Sequence, residues 1–90
     1  MPDADAPPPA SALPLFPAVT LRQLRCFVEI FHCGKIGTAA ERLCVTQSAV
    51  SLSLRQLEQT LGVLLFERST RAMRPTDAAR KALPLAERAL

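Results

Sequence analysis

The stretch from Val45 to Gly62, VTQSAVSLSLRQLEQTLG, leaves the rest of this chain the least freedom. Thr46 stands where a helix N-cap belongs, since its hydroxyl can accept a hydrogen bond from a backbone N–H one turn on. Val50, Leu54, Leu57 and Leu61 then recur at i, i+4, i+7 and i+11, one apolar stripe of an α-helix. Gly62 can take the left-handed conformation that ends such a helix. Gln47, Ser48, Ser51, Leu52 and Arg55 share the other side, which is short-chained, hydrogen-bonding and nearly free of acid. A helix with that outer face suits insertion into a groove.

The flanking segments are read as supports for it. Thr20 caps a first helix, LRQLRCFVEIFHCG, with Leu21, Leu24, Phe27, Val28 and Phe31 as its apolar face and Gly34 as its stop. Phe27 and Phe31 are half of the aromatic residues, so this helix is expected to floor the core. A short second helix runs from about Ile36 to Leu43 or Cys44. Its Ala39 and Ala40 let another backbone come close, and Val45-Thr46 then makes a tight turn. Two helices, a tight turn and a polar outer face on the second describe a helix-turn-helix.

After Gly62 the chain reads VLLFERSTRAMRPT: an apolar run from Val63 to Phe66, a polar basic turn, then Met73-Arg74 before Pro75. Two short strands around a loop bearing Arg68, Arg71 and Arg74 form a β-wing, whose arginines are opposed locally by Glu67 alone. Such a wing can grip phosphates or enter a minor groove. Thr76 and Asp77 open a last helix with Ala79, Leu83, Ala86 and Leu90 at i, i+4, i+7 and i+11. Pro84 lies inside it, which predicts either a bend or an end at Leu83. The chain then stops with this helix in progress, as a piece of a larger protein would.

Ninety residues allow one small domain. Residues 1–19 hold six of the eight prolines and no basic residue, and are expected to be a disordered Pro/Ala-rich tail. Leu13 to Val19 is too short and too broken by proline for a signal peptide or membrane span, so a cytoplasmic protein is expected. All eleven Lys and Arg follow residue 20, where the balance is about +5 against −2 in the tail. A basic small domain favours polyanions, although an ordinary solvated surface is the plainer account of the charge. Cys26, Cys33 and Cys44 include no C-x-x-C pair, and with His32 as the one histidine they form no zinc set. They are expected to be buried or half-buried free thiols. No Ser, Cys or carboxylate constellation around His32 supports an enzyme.

From Leu21 to Leu90 the chain resembles the N-terminal DNA-binding domain of LysR-type transcriptional regulators. The resemblance is carried by LRQLRCFVEIF, by TAAERLCVTQSAVSLSLRQLEQTLGVLLFERS, and by RPTDAA with the leucine–alanine helix after it. It implies a mainly α fold, a winged helix-turn-helix with a three-helix core, a short two-stranded β-wing and a C-terminal linker helix. Residues 20–75 would be the DNA-binding domain and 76–90 the start of the dimerisation linker. It further implies Gln47, Ser48, Ser51 and Leu52 in the major groove, with Arg68 to Arg74 at the backbone or minor groove. No cofactor is expected in this fragment. In the family a larger effector domain, absent here, binds a small-molecule inducer and assembles tetramers. Departures stand out: Lys35 where a Ser-type cap is usual, followed by Gly37; Ser48 where Pro often follows the Gln; Leu52 where an Arg is common, with Ser53 next in place of a longer polar residue; and Ala79 in place of a frequent Gly.

The expected function is sequence-specific binding of double-stranded DNA by a bacterial regulator, as a dimer on inverted half-sites, with no membrane partner. Gln47 is the foremost base reader, because its amide can pair bidentately with adenine N6 and N7. Ser48 and Ser51 can bond bases or phosphates, and Leu52 can meet a thymine methyl. Thr46, Arg55, Arg68, Arg71 and Arg74 are candidates for phosphate or minor-groove contacts, Thr46 being also accounted for by its cap alone. Leu83, Ala86 and Leu90 are the candidate dimer contacts. A winged-helix module that docks on a partner protein is the rival reading, favoured by the exposed apolar Leu52.

Overall fold

The computed structural model describes residues 19–69 and 72–90. The tail expected over residues 1–19 therefore lies outside the described residues except for Val19, as does Arg71. Val19 itself is half-buried and packs at the edge of the core. Four helices and a two-stranded sheet follow in the order α1, α2, α3, β1, β2, α4.

Helix α1, Leu21–Cys33, is closed at both ends by its own sequence. The Thr20 hydroxyl accepts from the Gln23 N–H at 3.1 Å, and the Gln23 amide oxygen accepts from the Thr20 N–H at 3.1 Å, a reciprocal capping box. Gly34 ends it at φ 77°, its N–H donating to the Ile30 carbonyl. The buried residues are Gln23, Cys26, Phe27 and Ile30, while Leu21 is exposed and Leu24, Val28 and Phe31 are half-buried. The buried arc is thus turned from the expected stripe. The reason is that α1 is the central helix, packed against α2 (Ile36–Leu43), α3 (Gln47–Leu61) and α4 (Asp77–Ala89).

Between α2 and α3 the chain turns on Cys44, which takes φ 59°, a left-handed conformation uncommon for a residue with a side chain. Two bonds hold the turn: Cys44 N–H to the Glu41 carbonyl at 3.2 Å and Val45 N–H to the Ala40 carbonyl at 3.0 Å. Ala39 and Ala40 are buried, and so are Val50, Leu54 and Leu57 of α3. Thr46 caps α3 through the Ala49 N–H at 3.1 Å, and Gly62 closes it at φ 71°.

The wing strands are β1, Phe66–Arg68, and β2, Met73–Pro75, antiparallel with Phe66 opposite Pro75 and Arg68 opposite Met73. The apolar run expected to lead the first strand does so only at its last residue. Val63 and Leu64 are exposed, whereas Leu65 turns fully inward. The Leu65 carbonyl accepts from the Thr76 N–H at 3.0 Å, one step beyond the Phe66–Pro75 pair in the same register, but its N–H turns away from the ladder and donates to the Glu58 carboxylate at 2.8 Å. Regular strand pairing therefore starts only at Phe66.

Thr76 joins the wing to α4. Its hydroxyl accepts from the Ala79 N–H at 3.2 Å and donates to the Leu64 carbonyl at 2.7 Å. Helix α4 runs on through Pro84 rather than ending at Leu83. Pro84 and Arg80 both lie on the exposed side, where water can take the Arg80 carbonyl that the proline leaves without an N–H partner. The core gathers Phe27, Ile30, Val50, Leu54, Leu57, Leu65, Phe66, Ala79 and Ala86, with Phe27 and Phe66 rings 5.8 Å apart. A His32–Glu87 bond of 3.0 Å between Nε2 and Oε2 links α1 to α4 on the outside.

Candidate nucleic-acid interface

The inner face of α3 is sealed by the core, so the face left to solvent is decided. Thr46, Gln47, Ser48, Leu52 and Arg55 are exposed, and Ser51 is half-buried. Ser53 is buried and lies against the Cys26 thiol, so it belongs to the inside. Burial pushes the Cys26 thiol above its ordinary value, against the smaller opposing effects of the Ser53 hydrogen bond and the Arg22 charge. Cys26, Cys33 and Cys44 are all free; Cys26 is buried and Cys33 half-buried as expected, but Cys44 is exposed, because it sits in the left-handed turn between α2 and α3.

Gln47 does not stand alone in water. Its amide lies over Gly37 of α2, where an ideal Cβ would come 3.3 Å from Nε2 and 3.6 Å from Cδ. Lys35, Thr38 and Glu41 share the shallow cleft around it. Lys35 is the N-cap of α2 but gives no side-chain bond to the helix end. The first backbone N–H groups of α2 thus have no capping side chain, an arrangement that attracts anions. The sequence marks Lys35 only as a poor cap; the structure adds it to the cleft around the Gln47 amide.

On the wing, Arg74 is exposed and sits opposite Glu67 in the strand register. Arg68 is opposed by more than Glu67. Its Nη2 lies 3.6 Å from Oε1 of Glu58, whose side chain is only 8% exposed and whose other oxygen holds the Leu65 N–H. The expectation that Glu67 alone opposes the wing arginines is corrected by this acid from α3. Arg55, one turn before Glu58, lines the same depression as Arg68, Glu67 and Leu64. Arg55 and Arg68 thus lie along one edge from α3 to the wing, Arg74 is exposed on β2, and Arg71 falls outside the described residues.

The candidate dimer residues are divided by the structure. Ala86 is already buried in the core of one chain, Leu83 is half-buried, and Leu90 is exposed. Leu85, which the expected stripe omitted, is the most exposed leucine of α4. Small Ala86 is drawn inward because α4 packs along α1, and that rotation carries Leu85 outward. Among the described residues no helix is long and apolar enough to cross a membrane, and no group of three or more His, Cys, Asp or Glu could hold a metal ion.

Three helices, a tight turn before the outward-facing third and a two-stranded β-wing after it define a winged helix-turn-helix domain. Residues 21–80 match the model of the bacterial regulatory helix-turn-helix proteins of the lysR family. The chain belongs to that family, which is one of regulators and not of enzymes. It is similar to the HTH-type transcriptional regulator HdfR of Salmonella typhimurium, 50% identical over 64 residues, covering 71% of this chain and 23% of that protein. The chain therefore spans about a quarter of the length of the curated relatives it matches. Among solved structures, oxidised OxyR of Corynebacterium glutamicum superposes with a TM-score of 0.78 at 48% identity, over 79% of this chain and 22% of that one. The CbnR DNA-binding domain in complex with DNA gives a TM-score of 0.76 at 37% identity, over 78% and 80% of the two chains. The BenM DNA-binding domain with catB site 1 DNA gives 0.73 at 31%, over 78% of each.

Proposed function

We propose that this chain is the sequence-specific, double-stranded-DNA-binding domain of a bacterial LysR-type transcriptional regulator, working in the cytoplasm as a dimer on inverted half-sites. The observation that carries this is the division of α3: Val50, Leu54 and Leu57 are sealed inside while Gln47, Ser48 and Leu52 are presented outside at the capped end. Relatives of the same fold, CbnR and BenM, were solved with DNA. Helix α3 enters the major groove, Gln47 reads adenine, Ser48 and Ser51 bond bases or phosphates, and Leu52 meets a thymine methyl. Thr46, Arg55, Arg68, Arg71 and Arg74 hold phosphates or the minor groove, joined by Lys35 at the open end of α2. Glu58 tempers Arg68 and leaves Arg74 as the freer described wing cation.

Dimerisation runs through α4, on Leu90 and Leu85 with Leu83 at the margin, since Ala86 is already covered by its own chain. An isologous contact of that helix gives the two-fold axis that inverted half-sites need. The whole regulator carries an effector domain that takes a small-molecule inducer and builds tetramers. A rival reading makes α3 a protein-docking face, because Leu52 is 52% exposed.

Incubating the domain with genomic duplex fragments, sequencing those retained and measuring affinity against salt separates the two. About four phosphates per subunit give a log–log salt slope of roughly −7 for a dimer. A retained set enriched in inverted repeats with that slope is expected. Salt-independent binding without sequence enrichment would favour the protein-docking reading.

A further inference from the structure

We propose that Gly37, which lies on α2 outside the recognition helix, is a specificity-determining position: its missing side chain is the seat on which the Gln47 amide rests. The proposal depends on Gln47 being a base reader. Gly37 occupies the second position of α2, an α-helix that glycine weakens more than any residue except proline. Its backbone does not require glycine, because the positive-φ glycines are Gly34 and Gly62 only. Neither the turn nor the cap explains it, since the left-handed residue of the turn is Cys44. What the absent Cβ does leave is room. The three atoms nearest to a Cβ built there are Nε2, Cδ and Oε1 of Gln47, at 3.3, 3.6 and 4.0 Å.

Those distances bear on reading. A glutamine at the first position of a helix, free in water, samples many rotamers and must give up that freedom when its amide meets a base edge. Laid over Gly37 and flanked by Lys35 and Thr38, the amide is held between the start of α2 and the start of α3. A methyl at position 37 would stand 3.3 Å from Nε2, a tight contact for a Cβ, so its neighbour must yield by a few tenths of an ångström. The yielding part is the exposed, flexible end of Gln47 rather than backbone. Alanine at position 37 therefore strengthens α2, keeps the fold and lifts the amide off its seat. Base discrimination needs a fixed amide plane and is the property that changes. Phosphate binding by the arginines does not depend on the seat.

The test uses the full chain and a randomised duplex library, comparing wild type, Gly37→Ala, Gln47→Ala and the double variant, with Gly37→Ser as a second probe of the same Cβ. Gly37→Ala is expected to raise the melting temperature and to leave affinity for random DNA and its salt slope unchanged. It is expected to lower, about five-fold, the preference for adenine at the base pair whose selection disappears in Gln47→Ala. Gly37→Ser should lower that preference similarly. In the Gln47→Ala background, Gly37→Ala should have no further effect on base preference, a coupling that a merely structural role would not produce. If Gln47→Ala shifts the selected sequence while both Gly37 variants select the wild-type sequence, Gly37 is not the seat and the reader assignment stands. If Gln47→Ala itself selects the wild-type sequence, the reader assignment fails and the seat falls with it.

Discussion

Helix α3 and the wing are neighbours but are held in different ways. Helix α3 is fifteen residues long, with Thr46 and Gly62 closing its ends and a buried stripe along its length. Its shape is set by residues within one turn of each other. The wing has two strands of three residues, too little ladder to be stable alone. It is held from outside by Glu58 on the Leu65 N–H, by the Gly34 carbonyl accepting from the Met73 N–H at 3.0 Å, and by Thr76 on the Leu64 and Leu65 carbonyls. A short ribbon can thus present arginines at a defined angle without much structure of its own, provided the anchors are intact.

That contrast can be broken most forcefully from inside the helix. Leu54 is fully buried beneath α1, and Leu54→Ala is expected to cost about 2–5 kcal/mol by leaving a cavity. Helix and wing should then melt together, because the same core carries both. Denaturant titration followed by helix signal and by a probe on β2 would show it, and two separate transitions would mean that the wing folds independently.

Glu58→Ala should act on the wing first. It strips a buried acceptor from the Leu65 N–H, an effect of about 1–3 kcal/mol, and frees Arg68 from its acid. Amide exchange is expected to quicken at Leu65 and along β1 and β2 while the middle of α3 keeps its protection. Equal acceleration in Val50 and Leu54 would show that Glu58 supports the helix as much as the wing.

The two threonine caps offer a finer comparison. Thr46→Ala loses one cap bond, about 1 kcal/mol. Thr76→Ala loses a cap bond and the hydroxyl bond to the Leu64 carbonyl, so it should be the more destabilising of the two and the one that loosens the wing. Thermal melts of both variants decide the order, and a larger loss at Thr46 contradicts the anchoring role given to Thr76.

At the outer face of α3, Leu52 has no hydrogen bond to offer and is expected to lie on a thymine methyl. Uracil in place of that thymine should weaken binding by about 1 kcal/mol or less in wild type and not at all in Leu52→Ala. Indifference of the wild type to uracil throughout its preferred site removes Leu52 from the contact set.

The smallest effect concerns Cys26. Its burial-raised thiol keeps its proton in the folded chain at a pH where the unfolded chain has released it. The stability associated with this group is therefore full below the ordinary thiol value, about 8.5, and is lost as pH rises through the raised folded value. Thiol labelling should reach exposed Cys44 first and Cys26 only on unfolding. Cys26 labelled as quickly as Cys44 in the folded chain would contradict that burial.

Much of the fold was legible before any contact was known. The starts and stops of α1 and α3 and the start of α4 were read from Thr20, Gly34, Thr46, Gly62 and Thr76, each of which caps a helix through neighbours within about a turn. The errors share a different character. Gln23 was overlooked as an inside residue because glutamine is ordinarily outside, yet it completes a capping box and donates to the Gln56 side-chain oxygen at 3.3 Å. Leu21 was placed inside by periodicity, but no neighbouring element covers it. Glu58 has no signal in its own stretch of sequence, because its partners Leu65 and Arg68 come to it from across the loop. The rotation of α4 that buries Ala86 and exposes Leu85 depends on how that helix lies against α1.

By itself, the sequence determined that this protein has a capped, two-faced helix behind a tight turn, with arginines following it and a polar, acid-poor face turned outward. Capping, helical periodicity and the left-handed glycines are interactions between near neighbours, and a linear string contains them whole. Tertiary structure decided which arc of each helix is covered, where the wing strand begins, which acid meets Arg68 and where the Gln47 amide rests. Each of those depends on groups from separate elements meeting in space, such as Gly37 with Gln47 or Glu58 with Leu65 and Arg68. Such meetings are fixed by packing around a shared core, and no short window of sequence carries them.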